Sequence, residues 1–400
     1  MDALQNPFAP GAGTPPPELT GRTQVLADAE TAILRMKAGR SARSALLLGL
    51  RGVGKTVLLG RIGAIAADAG AKEVMIEARE ARSLPELLVP RLRSVLVLLS
   101  AREQTYQLAK RAMAMLRQFA GTFKVTMGDV EYTVDALPGA ADSGDMQEDL
   151  AELLVAVGEA AKVSGQPLVL LLDELQFLSA TDLGALIMAM HRVGQQNLPI
   201  LLYGAGLPQL AGLAGNAKSY AERLFEYPPI GPLEPEAAAM AIRIPIERQG
   251  ATIHDDALQL IVEKTQGYPF FLQEWGSQVW RAASCITITT ADVEIATTNA
   301  VKRLDTSFFK VRFDRLTPRE RDYLRAMAER GPGPHRSGDI AVALGRKVTA
   351  LGPLRDGLIK KGMIYSPQHG ELAFTVPLFD EYLRRMMSTP RSSNADSTTL

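Results

Sequence analysis

Gly49-Leu-Arg-Gly52-Val53-Gly54-Lys55-Thr56 decides the fold. The stretch follows the apolar run Ala45-Leu-Leu-Leu48 and opens a helix-periodic segment from Lys55 to Ala67. A buried strand therefore runs through a glycine-rich turn into a helix. Glycines let backbone wrap closely round phosphate oxygens, and successive N–H groups with the helix N-terminus supply positive potential there. The pattern assigns nucleotide phosphates to Gly49, Gly52, Val53, Gly54, Lys55, Thr56 and Val57. Lys55 would reach the β/γ-phosphates and the Thr56 hydroxyl would ligate Mg²⁺. A chance glycine-rich turn is the plain alternative, expected in roughly one chain in 70 of this length; the strand before it and the helix after it make that rarer.

A second motif agrees with the first. Leu168-Val-Leu-Leu-Leu-Asp173-Glu174 is an apolar strand ending in two carboxylates. Asp173 is placed to hold the Mg²⁺ through water, and Glu174 to polarise the attacking water. Many strands end in polar residues, so the run means little alone and gains weight from following the phosphate loop. Glu73–Ile76 and Ile200–Tyr203 are further strand candidates, and helical pattern fills about Leu84 to Phe119. Buried apolar strands alternating with helices predict an α/β fold, a parallel sheet with helices on both faces.

The first 20 residues carry Pro7, Pro10, Gly11, Gly13 and Pro15-Pro16-Pro17, which predicts an extended lead-in that drapes over a domain. Thr122-Phe-Lys-Val-Thr-Met, Gly128-Asp129 and Val130-Glu-Tyr-Thr-Val read as a β-hairpin, and Asp145-Met-Gln-Glu148 as a capping-box helix start. From Glu234 the strands are expected to stop, with helices over 234–249, 255–265 and 270–283.

The chain end has its own charge. Lys and Arg exceed Asp and Glu by 17 to 10 between Val301 and Ser388, so the rest of this formally neutral chain is acidic. Thr317-Pro-Arg-Glu320 starts a helix to about Arg330 and Ser337–Leu344 a second. A third should run through Leu351, Leu354 and Leu358 to Lys361, closed by Gly362. Met363–Tyr365 and Leu372–Val376 would form a β-wing. Three helices and a wing make a winged helix whose third helix is the candidate reader of duplex DNA. Arg346, Lys347, Arg355, Lys360 and Lys361 are its cations, giving affinity rather than sequence choice. The competing use of the same fold is as a protein-contact or intramolecular clamp.

Other chemistry has little support. The four histidines are scattered at no metal-ligand spacing, and Cys285 is the only cysteine, so no intrachain disulfide forms. No run approaches the length of a membrane helix and the N-terminus lacks a signal-peptide pattern, which leads to the expectation of a cytoplasmic protein.

These motifs, in this order, resemble those of AAA+ and related STAND-type ATPases, in particular origin-recognition-type and archaeal-type ATPases with a C-terminal winged helix. The resemblance runs from about Asn6 to Met386. It implies that Pro16-Pro-Glu-Leu-Thr-Gly21-Arg22 lies against the adenine, with Arg22 in the nucleotide site. By the same likeness, Gly267-Tyr268-Pro269 lets a helical lid sense nucleotide through Pro269. Ser219-Tyr-Ala-Glu-Arg223 would carry an arginine finger reaching a neighbouring subunit, which requires a homo-oligomer; an exposed or internally paired Arg223 is the plain alternative. The family's polar sensor after the fourth strand is missing at Gly204-Ala-Gly206, as is its lid arginine at Phe270-Phe-Leu-Gln273. Slow hydrolysis of ATP, with bound nucleotide setting a conformation, is what those departures imply.

The expected organisation is a lead-in over 1–20, a phosphate-loop domain over 21–232 with a hairpin insertion at about 121–136, a helical lid over 233–300, a winged helix over 301–388 and a disordered tail over 389–400. The expected activity is a nucleotide-controlled, DNA-binding ATPase. A signalling or assembly switch using the winged helix and hairpin for protein contacts is the alternative.

Overall fold

The computed structural model describes residues 1–11, 13–80, 82–125 and 141–387. The chain divides into two compact units, Met1–Thr290 and Ala291–Leu400.

In the first unit, α1 (Thr23–Lys37) leads to β1 (Ser44–Leu48), α2 (Lys55–Asp68), β2 (Lys72–Glu77), α3 (Leu84–Ser100), α4 (Tyr106–Thr122) and α5 (Met146–Ser164). Then come β3 (Leu168–Asp173), α6 (Ala180–Gln195), β4 (Ile200–Gly206), α7 (Leu210–Ala217), the short α8 (Ala221–Leu224) and β5 (Phe225–Glu226). The strands form one sheet in the order β2-β3-β4-β1-β5, every neighbouring pair parallel.

Side-chain alternation explains the layers. Leu46, Val74, Ile76, Leu168, Leu170, Leu172, Ile200 and Leu202 share one core with α3, α4, α5 and α6. The intervening residues face the other way. There a methyl on Gly63 of α2 would lie 2.9 Å from Leu171 Cδ1, so glycine lets the helix settle on the strand. β3 and β4 are buried along their whole lengths, each fully buried leucine contributing about 1.5–3 kcal/mol. The parallel sheet covered on both faces is therefore what the sequence predicted.

Two local expectations need correction, and the helical pattern over 84–119 resolves into two helices, because the chain turns at 101–105. There the Thr105 hydroxyl donates to Leu99 O at 2.5 Å and Arg102 donates to Ser164 O at 2.8 Å, and α4 packs beside α3 and α5. The hairpin does not begin at Thr122, which closes α4, with Phe123 against Phe119 at 4.8 Å; 126–140 lie outside the described residues. Asp145 caps α5 through Gln147 N at 2.8 Å, but Glu148 forms no capping box and pairs with Arg192 at 2.7 Å.

Beyond β5, α9 (Pro235–Arg248), α10 (Asp255–Thr265) and α11 (Pro269–Ala282) form the helical part of this unit. Strands do not stop altogether: β6 (Thr252–Ile253) pairs in parallel with β7 (Thr287–Ile288), two residues each, too short to show a period in the sequence. Trp275 and Trp280 are buried here. The lead-in lies along α11, with Asn6 Nδ2 donating to Ser277 Oγ at 3.1 Å and Trp280 Nε1 to Asp2 O at 2.7 Å. It carries a 3₁₀ turn over Ala3–Gln5, and Gly13 turns with a φ of +72°. Gly13 comes to the Thr56 methyl, 3.6 Å from where its own Cβ would stand.

The second unit starts within α12 (Thr290–Arg303), continues through a π-helical turn over Leu304–Phe309 into α13 (Lys310–Asp314), and then forms α14 (Pro318–Ala328), β8 (His335–Arg336), α15 (Ser337–Ala343), α16 (Gly352–Lys360), β9 (Ile364–Tyr365), β10 (Glu371–Phe374) and α17 (Phe379–Met386). β10 pairs antiparallel with both β8 and β9. Thr317 and Glu320 close the expected capping box on α14. Phe309 packs on Tyr382 at 5.3 Å and on Phe379 at 5.7 Å, which anchors α17. No helix among the described residues is long and apolar enough to cross a membrane.

Candidate functional site

Burial and backbone conformation build the site at the end of β1. Gly52 and Gly54 adopt φ of +87° and +93°, a region closed to most side chains, and Gly54 caps α2. Gly49 donates to Gly206 O at 3.1 Å, and a Cβ on Gly49 would collide with Ile230 O. Val53 is buried beneath the loop, while Thr56 is exposed. Val57 follows in the first turn of α2.

Lys55 is buried, its Nζ donating to Gly49 O at 2.9 Å and Leu50 O at 2.8 Å. Burial lowers its pKa, against the opposing pull of the Glu174 and Asp173 carboxylates. An ammonium short of countercharge and folded over a glycine-rich loop is suited to an anion. Arg51 Nε, also in the loop, is buried without a partner among the described residues, a second donor waiting for an acceptor.

The acidic side comes from β3. Thr56 Oγ1 donates to Asp173 Oδ2 at 2.5 Å, and Glu174 N to Asp173 Oδ1 at 2.8 Å. Burial raises the Asp173 pKa, with those two donors opposing it. A hydroxyl and a carboxylate oxygen in contact are hard ligands of the kind Mg²⁺ takes alongside phosphate oxygens. Among the described residues no cluster of three or more His, Cys, Asp or Glu could form an all-protein metal cage.

Glu174 has φ of +55°, left-handed backbone uncommon for a residue other than glycine, at a cost of about 1–2 kcal/mol. The turn there brings Gln176 back onto it. Gln176 Nε2 donates to Glu174 Oε2, and Gln176 Oε1 accepts from Leu207 N at 3.1 Å. The sequence reading missed Gln176. Its only signal was a side-chain amide two residues after the carboxylate, at a spacing that becomes a contact only because the chain turns at Glu174.

Two more groups meet the loop. Arg22 donates to Val53 O at 3.4 Å and to Gly231 O, and burial lowers its pKa. It therefore braces the loop backbone. Pro269 is the first residue of α11, whose start is fastened to the loop: the Tyr268 hydroxyl donates to Arg51 O, and Phe270 N to Gly52 O at 3.2 Å. The end of β4 is bare for packing reasons. A methyl on Gly204 would strike Leu175 and Leu46, and one on Gly206 would lie 2.7 Å from Leu210 Cδ2 and 2.9 Å from Gln176 Oε1. Arg223 stands apart, exposed on α8, and its guanidinium makes no ion pair among the described residues.

In the second unit the candidate cations have unequal roles. Arg346, Lys347 and Lys360 are exposed. Arg355 pairs with the adjacent Asp356 at 3.2 Å. Lys361 does not stand free for a ligand: its Nζ donates to Glu320 Oε2 at 2.7 Å and Arg315 O at 3.0 Å.

A family model described as an AAA ATPase domain matches residues 18–203, and one described as a domain of unknown function (DUF8462) matches residues 306–383. No curated protein matches the chain. Among solved structures, the Walker-type ATPase PABY2304 of Pyrococcus abyssi superposes with a TM-score of 0.58 at 16% identity, covering 92% of this chain and 96% of that one. The RuvB Holliday junction branch migration motor of Thermotoga maritima matches with a TM-score of 0.46 at 15% identity, over 93% and 96% of the two chains. ORC1 of Aeropyrum pernix, solved in complex with DNA, matches with a TM-score of 0.44 at 18% identity, over 92% and 93%. The Pyrococcus superposition extends the likeness in fold over nearly the whole chain.

Proposed function

We propose that this chain, whose residues 18–203 match the model of an AAA ATPase domain, is a slow ATP hydrolase whose nucleotide state governs a DNA-binding winged-helix unit. One observation carries the hydrolase reading: Thr56 and Asp173 touch at 2.5 Å beside Glu174, with the buried Lys55 ammonium on the same loop. Loop N–H groups and the α2 N-terminus would cradle the phosphates, with Arg51 and Lys55 donating to them. Thr56 and Asp173 are the residues that would hold Mg²⁺, which when bound neutralises developing phosphate charge. Glu174 would take the proton of the attacking water, since its second oxygen is not engaged by Gln176.

The fastening of α11 to the loop supports nucleotide sensing. Phosphates entering a loop whose Arg51 and Gly52 carbonyls are held by Tyr268 and Phe270 would shift α11. The chain continues from α11 through β7 into α12, the helix that begins the second unit. Arg346, Lys347 and Lys360, exposed around α16, are the cations that would meet DNA phosphates. Arg223, whose guanidinium makes no ion pair among the described residues, suits a finger acting on a second copy.

A second reading, a nucleotide-dependent protein switch, is favoured by exposed apolar residues on the same unit: Val342 is 81% exposed and Val348 44%. ATP hydrolysis measured with and without duplex DNA, with Lys55→Ala and Glu174→Gln as controls, separates the two. Stimulation by DNA that both variants abolish supports the first; DNA-indifferent turnover supports the switch.

A further inference from the structure

We infer that Gln176 is a positioning residue for Glu174, tying the carboxylate to the phosphate loop and supplying from beyond β3 the polar group that the end of β4 lacks. The inference rests on the ATPase reading and deepens it.

Hydrogen-bond chemistry fixes the orientation of the Gln176 amide. A carboxylate only accepts and a backbone N–H only donates, so the Gln176 nitrogen must face Glu174 and its oxygen must face Leu207 N. The Leu207 N–H belongs to the peptide unit whose carbonyl is that of Gly206, and that carbonyl accepts from Gly49 N at 3.1 Å. One rigid peptide thus holds the first glycine of the phosphate loop on one side and Gln176 on the other. The path from the loop to the base is continuous: Gly49 N, the Gly206–Leu207 peptide, the Gln176 amide, Glu174 Oε2.

Space at the end of β4 fits the same role. Gly206 leaves room that the Gln176 oxygen takes, 2.9 Å from where a methyl would stand. A side chain there would displace the amide. Gln176 also leaves Glu174 Oε1 unengaged, so one carboxylate oxygen is anchored and the other is left to act on a water. Anchoring a catalytic carboxylate through a neutral donor narrows its rotamers without pairing away its charge.

The test compares wild type, Glu174→Gln, Gln176→Leu and the double variant, each as the full chain. Phosphate release at saturating ATP gives kcat, titration with a fluorescent ADP gives Kd, and thermal melts report folding. Gln176→Leu should lower kcat by about 10- to 100-fold while Kd stays within about twofold, and in the Glu174→Gln background it should cause no further loss. Gln176→Glu, which faces a carboxylate with a carboxylate, should not restore the rate. If Glu174→Gln is inactive but Gln176→Leu turns over like wild type, the positioning role is overturned and the ATPase reading stands. An equal further loss in the Glu174→Gln background overturns it as well, since Gln176 would then act on the fold. Wild-type turnover that is absent, or indifferent to Glu174→Gln, overturns the ATPase reading and this inference together.

Discussion

The hydroxyl of Thr56 meets Asp173 Oδ2 at 2.5 Å although 117 residues separate the two and β4 lies in the sheet between β3 and β1, the strand that leads to Thr56. This contact makes one oxygen cluster from the first turn of α2 and the end of β3. It also sets a testable pH dependence. Burial raises the Asp173 pKa, and a group whose folded pKa is raised contributes stability below its unfolded pKa that is lost as pH rises through the folded one. Near neutral pH the ionised carboxylate therefore costs the nucleotide-free protein stability. Asp173→Asn keeps an oxygen for Glu174 N, turns its amide nitrogen to a Thr56 hydroxyl that can rotate to accept, and removes that cost. Its Tm without nucleotide should exceed that of wild type at about pH 7.5, the difference shrinking in acid. Mg²⁺ should no longer add to the Tm rise caused by nucleotide. A lower Tm at neutral pH would mean that the ionised carboxylate stabilises the nucleotide-free protein.

Lys55 and Glu174 should separate binding from turnover. Lys55→Ala removes the buried ammonium and should weaken ATP by at least about tenfold, seen as loss of the nucleotide-induced Tm shift. Glu174→Gln leaves the loop untouched, so affinity should hold while turnover falls by about 10²- to 10⁴-fold. Calorimetric titration beside a phosphate-release assay checks both. Parallel losses in both variants would mean that Glu174 serves binding.

Tyr268 and Gly52 test the fastening of α11 to the loop. A methyl on Gly52 would lie 3.0 Å from Tyr268 Cε1 at a φ of +87°, so Gly52→Ala strains the loop and crowds the ring. ATP affinity should fall by about tenfold or more in a protein that still folds. Tyr268→Phe removes only the hydroxyl that holds Arg51 O, and the loop then pays more to order itself on binding. A smaller loss, about three- to tenfold, is expected. Equal affinities in wild type and Tyr268→Phe would show that α11 does not order the loop.

The sequence was most legible where one local pattern sufficed. β1, β3 and β4 are buried on both faces and read as unbroken apolar runs, and the loop between β1 and α2 is a contiguous motif. Features made by contacts distant in sequence were hidden. The turn between α3 and α4 depends on Arg102 reaching Ser164, and the two-residue strands β6 and β7 exist only as each other's partners. Arg22 bonds to the loop carbonyl of Val53, 31 residues on, and to Gly231, 209 residues on, partners that no local pattern displays. Gln176 became visible only with the left-handed turn at Glu174. Lys361 read as a surface cation because its partner, Glu320, lies 41 residues earlier.

That last pair gives a prediction in which two lysines of one unit behave oppositely. Glu320 has a side chain only 7% exposed. Burial pushes its carboxyl up, but Lys361 with the Thr317 amide and hydroxyl outweigh burial and hold it below the ordinary glutamate range. Lys361→Met leaves a buried carboxylate without its cation and should cost about 1–3 kcal/mol, lowering Tm. A depressed carboxyl contributes stability above its unfolded pKa that is lost as pH falls through the folded one. The gap between wild type and Lys361→Met should therefore be full near neutral pH and narrow below about pH 4. Lys347→Glu should do the reverse of Lys361→Met: Tm within about 1 °C of wild type, because Lys347 is exposed, but weaker duplex binding with a salt slope smaller by about one. Melts across pH and DNA titrations across salt, on the full chain, check the pair. Weakened DNA binding in Lys361→Met at unchanged Tm would return Lys361 to the nucleic-acid face and break the assignment of its charge to Glu320.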